Sequence, residues 1–246
     1  MIPTSKITRY RNFKRVKHLN TELETVSNQA EEYLEAIYRL EQKTGYARTM
    51  DLARSLNVVP GSITNTIDNL EKKGLVIHKP YRGVTLTDNG RKIASNVLRR
   101  HRLAERLLTD ILHIDWSQVH DPACKLEHAL SPEILKPLEK ILGHPKRCPH
   151  GNLIPTKCGG LFEEETVALS ELDAKTGGII IKITKEESEA LQQLTELHLI
   201  PGKRVAVENK NLPSGLAICV EGEHCTIDYD LAAIIQVKKT EGDVKN

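Results

Sequence analysis

The sequence predicts an α+β chain built from a winged helix-turn-helix, an all-helical middle segment and a small C-terminal β-barrel. Three observations carry this. Three short helical patterns close on a pair of β-prone runs before residue 90. The chain then stays helical to about residue 145. From residue 166 the pattern turns to short β runs broken by one helix, as in a small barrel.

Each element follows from its residues. Residues 1–28 are polar, and the first twenty hold six basic and no acidic side chains, which reads as a basic arm. Residues 29–90 form the winged helix-turn-helix. In its first helix Tyr33, Leu34, Ile37, Tyr38 and Leu40 recur at helical spacing, Asn28 can cap, and Gly45 ends the run. TMDLARSLN is a second, short helix. In PGSITNTIDNLEKKG, Pro60 suits a first turn, Ile63, Ile67 and Leu70 make the apolar stripe, and Gly74 stops the helix. Leu75–His78 and Val84–Thr87 form the hairpin of the wing. This order places the third helix in a DNA major groove.

Residues 91–145 follow as one long helix or two over DNGRKIASNVLRRHRLAERLLTDIL, then two shorter ones, DPACKLEHALS and SPEILKPLEKIL. If the first of these starts near Trp116, Pro122 kinks it; if it starts at Asp121, Pro122 is harmless. Residues 146–165, rich in Pro and Gly, read as a linker. In residues 166–240 the β runs are Gly178–Ile183, Arg204–Glu208, Leu216–Val220, Cys225–Tyr229 and Ile234–Val237, with a helix from Lys185 to Leu197.

Charge is uneven. Residues 1–100 carry 18 basic and 10 acidic side chains, a surplus of eight positive charges, and the remainder carries 17 against 23. The basic half points to a polyanionic partner. No run of about 18 apolar residues is present and the N-terminus lacks an apolar core, so the expectation is a cytoplasmic chain without a membrane span. The five cysteines then read as free thiols or ligands.

The stretch VHDPACKLEH packs His120, Cys124, Glu127 and His128 into ten residues, and the last three share a helical face. Each can ligate a transition metal. His144, Cys148, His150 and Cys158 form a rival set, but their spacing fits no known finger and they read as incidental to a turn. Cys219 and Cys225 alternate into β runs as core residues. Nothing in the sequence forms a nucleophile–base pair beyond the metal ligands, so no enzyme is expected.

RRHRLAERLLTDIL and VHDPACKLEH, supported by EEYLEAIYRLE, YRGVTLTDNG and CPHGNLIP, resemble the diphtheria-toxin-repressor family of metal-dependent transcriptional regulators. LTELHLIPGKRVAV is similar to the small barrel of ferrous iron transport protein A. The resemblance spans about residues 29–240. It implies that the helical middle is a dimerisation domain and that a homodimer binds palindromic double-stranded operator DNA, usually repressing metal-uptake genes. It also implies a primary metal site of Glu32, Cys124, Glu127 and His128, and an ancillary site of His101, Glu105 and His120 with Glu187 from the barrel.

Iron-type relatives often carry Met at the Glu32 position. Manganese-type relatives carry Asp there and Glu in place of Cys124, so this chain mixes the patterns. One thiolate, two carboxylates and one imidazole suit Fe(II), with Mn(II) as the alternative and Co(II), Ni(II) and Zn(II) competing in vitro. Glu35 is a further candidate ligand, and Glu186 or Glu189 could stand in for Glu187, because the family's partner Gln falls on Ala190. At the DNA, Pro60, Gly61, Ser62, Thr64 and Asn65 are candidate base or backbone contacts, and Arg48, Lys79, Tyr81 and Arg82 candidate phosphate contacts. A redox-sensing regulator built on Cys124 is a competing reading.

Overall fold

The computed structural model describes residues 26–79, 82–156, 164–213 and 215–240. The basic arm, apart from its last three residues, and Tyr81 and Cys158 lie outside the described residues.

Helix α1 (Asn28–Thr44) is capped by Ser27, one residue before the expected cap, whose hydroxyl accepts from the Ala30 N–H. A side-chain oxygen at that position satisfies one of the free amides of the first turn. Left-handed Gly45 closes the other end, its N–H donating to Glu41 O at 2.8 Å. Helices α2 (Thr49–Ser55) and α3 (Pro60–Lys72) follow, with Pro60 in the first turn. Strands β1 (Val76–Lys79) and β2 (Gly83–Leu86) pair antiparallel, Val76 opposite Leu86, as the wing. Leu34, Ile37, Leu52, Ile63, Ile67, Leu70 and Leu98 are fully buried in one core under all three helices.

The long helical pattern resolves into one element. Helix α4 (Asp88–Arg106), capped by Thr87, runs on through a π-helical turn over Leu107–Ile111. Helix α5 (His120–Leu126) starts at His120, so Pro122 falls in its first turn, where no amide partner is lost, and no kink is needed. A 3-10 turn over Glu127–Ala129 leads to α6 (Pro132–Ile141).

The C-terminal unit holds β3 (Val167–Ala168), β4 (Thr176–Ile183), α7 (Ser188–Glu196), β5 (Arg204–Leu212), β6 (Gly215–Val220), β7 (Glu223–Ile227), α8 (Tyr229–Ile234) and β8 (Ile235–Lys239). Among the described residues the expected small barrel takes an SH3-like form that does not close: the strands form one antiparallel sheet ordered β3-β8-β4-β5-β6-β7, with β3 and β7 as open edges. Instead of closing on itself, the sheet covers its core with helices: Leu191 and Leu194 of α7 and Leu231 and Ala232 of α8 are buried among the strand residues. Helix α8 takes up Ile234, expected in a strand.

Residues 147–155 of the segment expected as a linker are pinned in place. Arg147 pairs with Leu153 as an isolated bridge, and the Gly151 N–H donates to Cys148 O at 2.9 Å. Arg102 and Arg99 of α4 donate to the carbonyls of Leu153 and Pro155. The Ile183 N–H of β4 donates to His150 O at 2.9 Å. Gly151 has φ +83°, and a Cβ there would lie 2.0 Å from Ile181 O. Only glycine fits this turn against β4. Gly151→Ala should therefore cost about 1–3 kcal/mol through strain and overlap. Thermal unfolding checks it, and an unchanged melting temperature would show that the turn yields freely.

Candidate metal centre

His101 stands at the middle of the site. It lies on the inner face of α4 and is 1% exposed. Its Nδ1 is 2.7 Å from Glu127 Oε2 and its Nε2 is 3.1 Å from Glu105 Oε1. The spacing of four between His101 and Glu105 puts both on one face, as expected. Cys124 Sγ sits 3.9 Å from both His101 Nδ1 and His120 Nε2.

Two sets of donors spread from this histidine. Toward α1, His128 Nε2 lies 3.5 Å from Glu127 Oε1 and 3.7 Å from Glu32 Oε1. Its Nδ1 meets Glu31 Oε2 at 2.8 Å, and Arg100 pairs with the same oxygen at 2.6 Å. Toward the C-terminal unit, Glu105 Oε1 is 3.2 Å from His150 Nδ1, and Glu186 Oε1 is 3.7 Å from the same nitrogen. Cys148 Sγ is 3.9 Å from His150 Nδ1, and His120 Nδ1 is 3.5 Å from Glu186 Oε2. The donor atoms of Glu105, Cys148, His150 and Glu186, all buried, lie within 4.8 Å of one another; so do those of His101, Glu105, His120 and Glu186, and those of His101, His120 and Cys124.

The structure thus brings together His101, Glu105 and His120, and gathers Glu32, Glu127 and His128. Cys124 is drawn to His101 and His120 rather than into one tight group with Glu127 and His128. Glu187 does not join: it stands at the cap position of α7, 67% exposed, paired with Lys185 at 2.9 Å. Its neighbour Glu186 points inward. Glu35 is buried but held by Arg39 at 2.8 Å, and Arg39 also reaches Glu186 Oε2 at 3.1 Å.

Of the donors gathered here, the sequence offers Cys148 and His150 only as members of a set read as incidental to a turn and Glu186 only as a stand-in for Glu187, while Glu31 is not singled out. Cys148 and His150 are two apart in a tight turn that aims both inward, and the carboxylates they meet are far away in the chain. The only local signal was the Cys-Pro-His triplet itself. His144, by contrast, is exposed at a left-handed turn with φ 55°.

The electrostatics are those of a cluster that wants a cation. Burial opposes charge on His101, but Glu105 and hydrogen bonds with Cys124, Glu105 and Glu127 hold its pKa well above the usual histidine value. Burial likewise opposes charge on His120 and His150, yet hydrogen bonds with Cys124 and Glu105 push His120 up to about 9, and those with Cys148 and Glu105 push His150 up to about 11. Burial alone would raise Glu105, but His101 and its hydrogen bonds keep it well below the carboxylate range. Burial resists the Cys124 thiolate too, and His101 and His120 bring its pKa down. In the protein alone these shifts favour charge pairing between the imidazoles and Glu105, while burial pushes Glu127 up. Three buried atoms in the cluster lack a close hydrogen bond: Glu105 Oε2, and His120 Nδ1 and His128 Nε2, which stand 3.5 Å from carboxylate oxygens of Glu186 and Glu127. Such atoms are costly unless something binds them. The mixed N, O and S set, with atoms left over, fits a divalent transition metal.

The candidate DNA surface lies at the start of α3 and at the wing. Pro60, Gly61, Thr64 and Asn65 are exposed at the start of α3, and Ser62, half-buried, donates its hydroxyl to Val59 O. Arg48 is exposed and its guanidinium donates to Tyr46 Oη at 2.8 Å; Lys79 and Arg82 are exposed at the wing. Met50, Val58 and Val59 are exposed apolar side chains beside the same turn, unremarked in the sequence.

Comparison with known proteins agrees with this arrangement. Residues 25–84 match the iron dependent repressor N-terminal DNA binding domain, residues 87–156 the iron dependent repressor metal binding and dimerisation domain, and residues 167–239 the FeoA domain. The chain is 32% identical over 224 residues to the iron-dependent repressor IdeR of Mycobacterium tuberculosis, covering 85% of this chain and 96% of that one. It is 32% identical over 229 residues to the diphtheria toxin repressor of Corynebacterium glutamicum, covering 86% and 96%. Among solved structures it is similar to T. acidophilum IdeR, with 33% identity, TM-score 0.72 and coverage of 85% and 97%. It is also similar to a manganese-dependent transcriptional repressor in complex with manganese, with 28% identity, TM-score 0.79 and coverage of 86% and 100%. With a DNA-reading head, a donor-lined hub beside it and relatives matched over nearly their whole length, the chain belongs to the iron-dependent repressor family of metal-dependent, DNA-binding transcriptional repressors, which are not enzymes.

Proposed function

We propose that this repressor is activated by Fe(II), with Mn(II) as the alternative, and that it binds palindromic operators of metal-uptake or iron-homeostasis genes as a homodimer. The observation that carries the reading is the continuity of the donor cluster across the chain. It takes Glu32 from α1, His101 and Glu105 from α4, His120, Cys124, Glu127 and His128 from α5 and the turn after it, Cys148 and His150 from the 147–153 turn, and Glu186 from the C-terminal unit.

Two adjoining sites fit these donors. Glu32, Cys124, Glu127 and His128 hold the first, with His101 beside them. Glu105, Cys148, His150 and Glu186 hold the second, with His120 at its rim. The ion supplies a cross-link between segments that are otherwise joined by ion pairs. The residues do the rest. His150 keeps one ring nitrogen on Trp116 O at 2.8 Å, which orients the other toward Glu105. Trp116 in turn donates from Nε1 to Thr195 Oγ1 at 2.8 Å, anchoring the helical domain on α7.

A fixed head angle matters because two heads in a dimer must reach half-sites a set distance apart. Ile111, Leu112, Ile134 and Ile141 of the helical domain are exposed apolar side chains that a second copy would cover. Pro60 to Asn65 would read bases or grip the backbone, and Arg48, Lys79, Tyr81 and Arg82 would bind phosphates. Thiolate and imidazole donors favour Fe(II) over Mn(II), and also admit Co(II), Ni(II) and Zn(II) in vitro. No helix of the described residues is long and apolar enough to cross a membrane. The lowered Cys124 thiol pKa favours one second reading, oxidant sensing at that sulfur. Cys124→Ser would then abolish an oxidant response while leaving part of the metal response.

Anaerobic operator binding should tighten about 5- to 150-fold on adding Fe(II), the usual range of allosteric coupling. Equal affinity with Fe(II), Mn(II) and no metal would end the proposal. His128→Ala should remove most of that response, since it deletes the donor that meets both Glu127 and Glu32; a full response would show the first site to be elsewhere. Because an arriving ion must displace protons from His120, whose pKa is about 9, metal affinity should rise with pH between about 6 and 8 and binding should release protons. Titration in weakly buffered solution reads both.

A further inference from the structure

A second constellation of ligands lies on the C-terminal sheet, apart from the cluster around His101. Glu208 of β5, Cys219 of β6 and His224 of β7 come from three adjacent strands. Their donor atoms lie within 4.8 Å of one another, and His224 Nδ1 is 2.9 Å from Glu208 Oε1. Cys219 and His224 are directly opposite in the β6–β7 register, so their side chains leave the same face. That face is the outer one: the alternate residues Ile218 and Val220 are buried in the core, and His224 is 68% exposed.

The third donor is placed by a break in the ladder. Val207 pairs with Ile218 and Asn209 with Ala217, so Glu208 is the extra residue of a β-bulge. A bulge re-aims one side chain at the expense of a ladder pairing. Here it turns a carboxylate toward the cysteine and histidine. Free Cys219 is half-buried at the centre, with no disulfide. A bare salt bridge would need only Glu208 and His224; the sulfur between the strands is what makes the set a ligand set.

We propose that Glu208, Cys219 and His224 form a third metal site, specific for a borderline divalent cation of the Zn(II) class. One thiolate, one imidazole and one carboxylate are the ligand types of tetrahedral zinc, with metal–donor distances of about 2.0–2.3 Å that place the donors themselves within the observed spacing. Three protein ligands leave the fourth position open, and on this face it opens to solvent. The site therefore exchanges its ion freely, unlike the buried cluster. Its thiolate and imidazole disfavour Mn(II).

The test uses the full-length chain, stripped of metal under reducing conditions and dialysed against buffered Zn(II). His224→Gln and Cys219→Ala, both on the outer face, should each lose the same single zinc equivalent relative to wild type, and the double variant should lose no more. Cys225→Ser, on the inner side of β7, should lose none. Co(II) substitution adds an independent reading: the thiolate charge-transfer band should weaken in Cys219→Ala, and the cobalt d–d bands should weaken in His224→Gln. Unchanged stoichiometry in His224→Gln, or losses that add in the double variant, would overturn a shared site.

Discussion

A buried histidine held between two carboxylates sets the terms for this molecule. His101 is closed off from solvent and flanked by Glu105 and Glu127, each on a separate element. A carboxylate buried without a partner is expensive enough that the structure must supply positive charge nearby. In the protein alone that charge is a proton on an imidazole. A divalent ion is the other way to meet the same need, and it brings two charges where the proton brings one. The fold around His101 can be read as a set of devices that keep the donors close while leaving the source of positive charge open.

Those devices come from distant parts of the chain. Helix α4 is long enough to reach from the core of the DNA-binding domain, where Leu98 is buried, to the ligand pair His101 and Glu105 on its last turns. The helix then widens into a π-helical turn, a local irregularity often found at functional sites. The Gly151 turn brings Cys148 and His150 underneath, and the sheet that holds this turn through Ile183 also delivers Glu186. A change in the charge at the centre is therefore felt by all three units.

Local chemistry made much of this legible in advance. The helix-turn-helix follows from apolar spacing and from Pro60 and Gly74 at the two ends of one helix. Cys124, Glu127 and His128 share a helical face and so announce themselves, whereas His101 and Glu105, four apart on one face, were pointed to by the family resemblance. The rest depends on contacts between remote segments, which no short pattern encodes. Glu187 and Glu186 are neighbours in a polar run, and which of them turns inward is decided by the entry into α7. Cys148 and His150 look like loop residues until α4 is laid over them. Strand runs predict a sheet well, but whether its edges meet depends on strand lengths and on the helices that cover the core. Cys219 and Cys225 looked alike in sequence; the register puts Cys225 against the core and Cys219 on the outer face.

Arg39 deserves a place beside the ligands, although it donates no lone pair. Its guanidinium spans Glu35 on its own helix and Glu186 on the third domain. The Glu186 oxygen it holds is also the one nearest His120. That oxygen has a limited capacity, so a cation drawing on it from the cluster side weakens the hold of the arginine on the other. Filling the second site would thus loosen a tether between the first helix and the C-terminal unit, while filling the first, through Glu32, would add one between that helix and the helical domain.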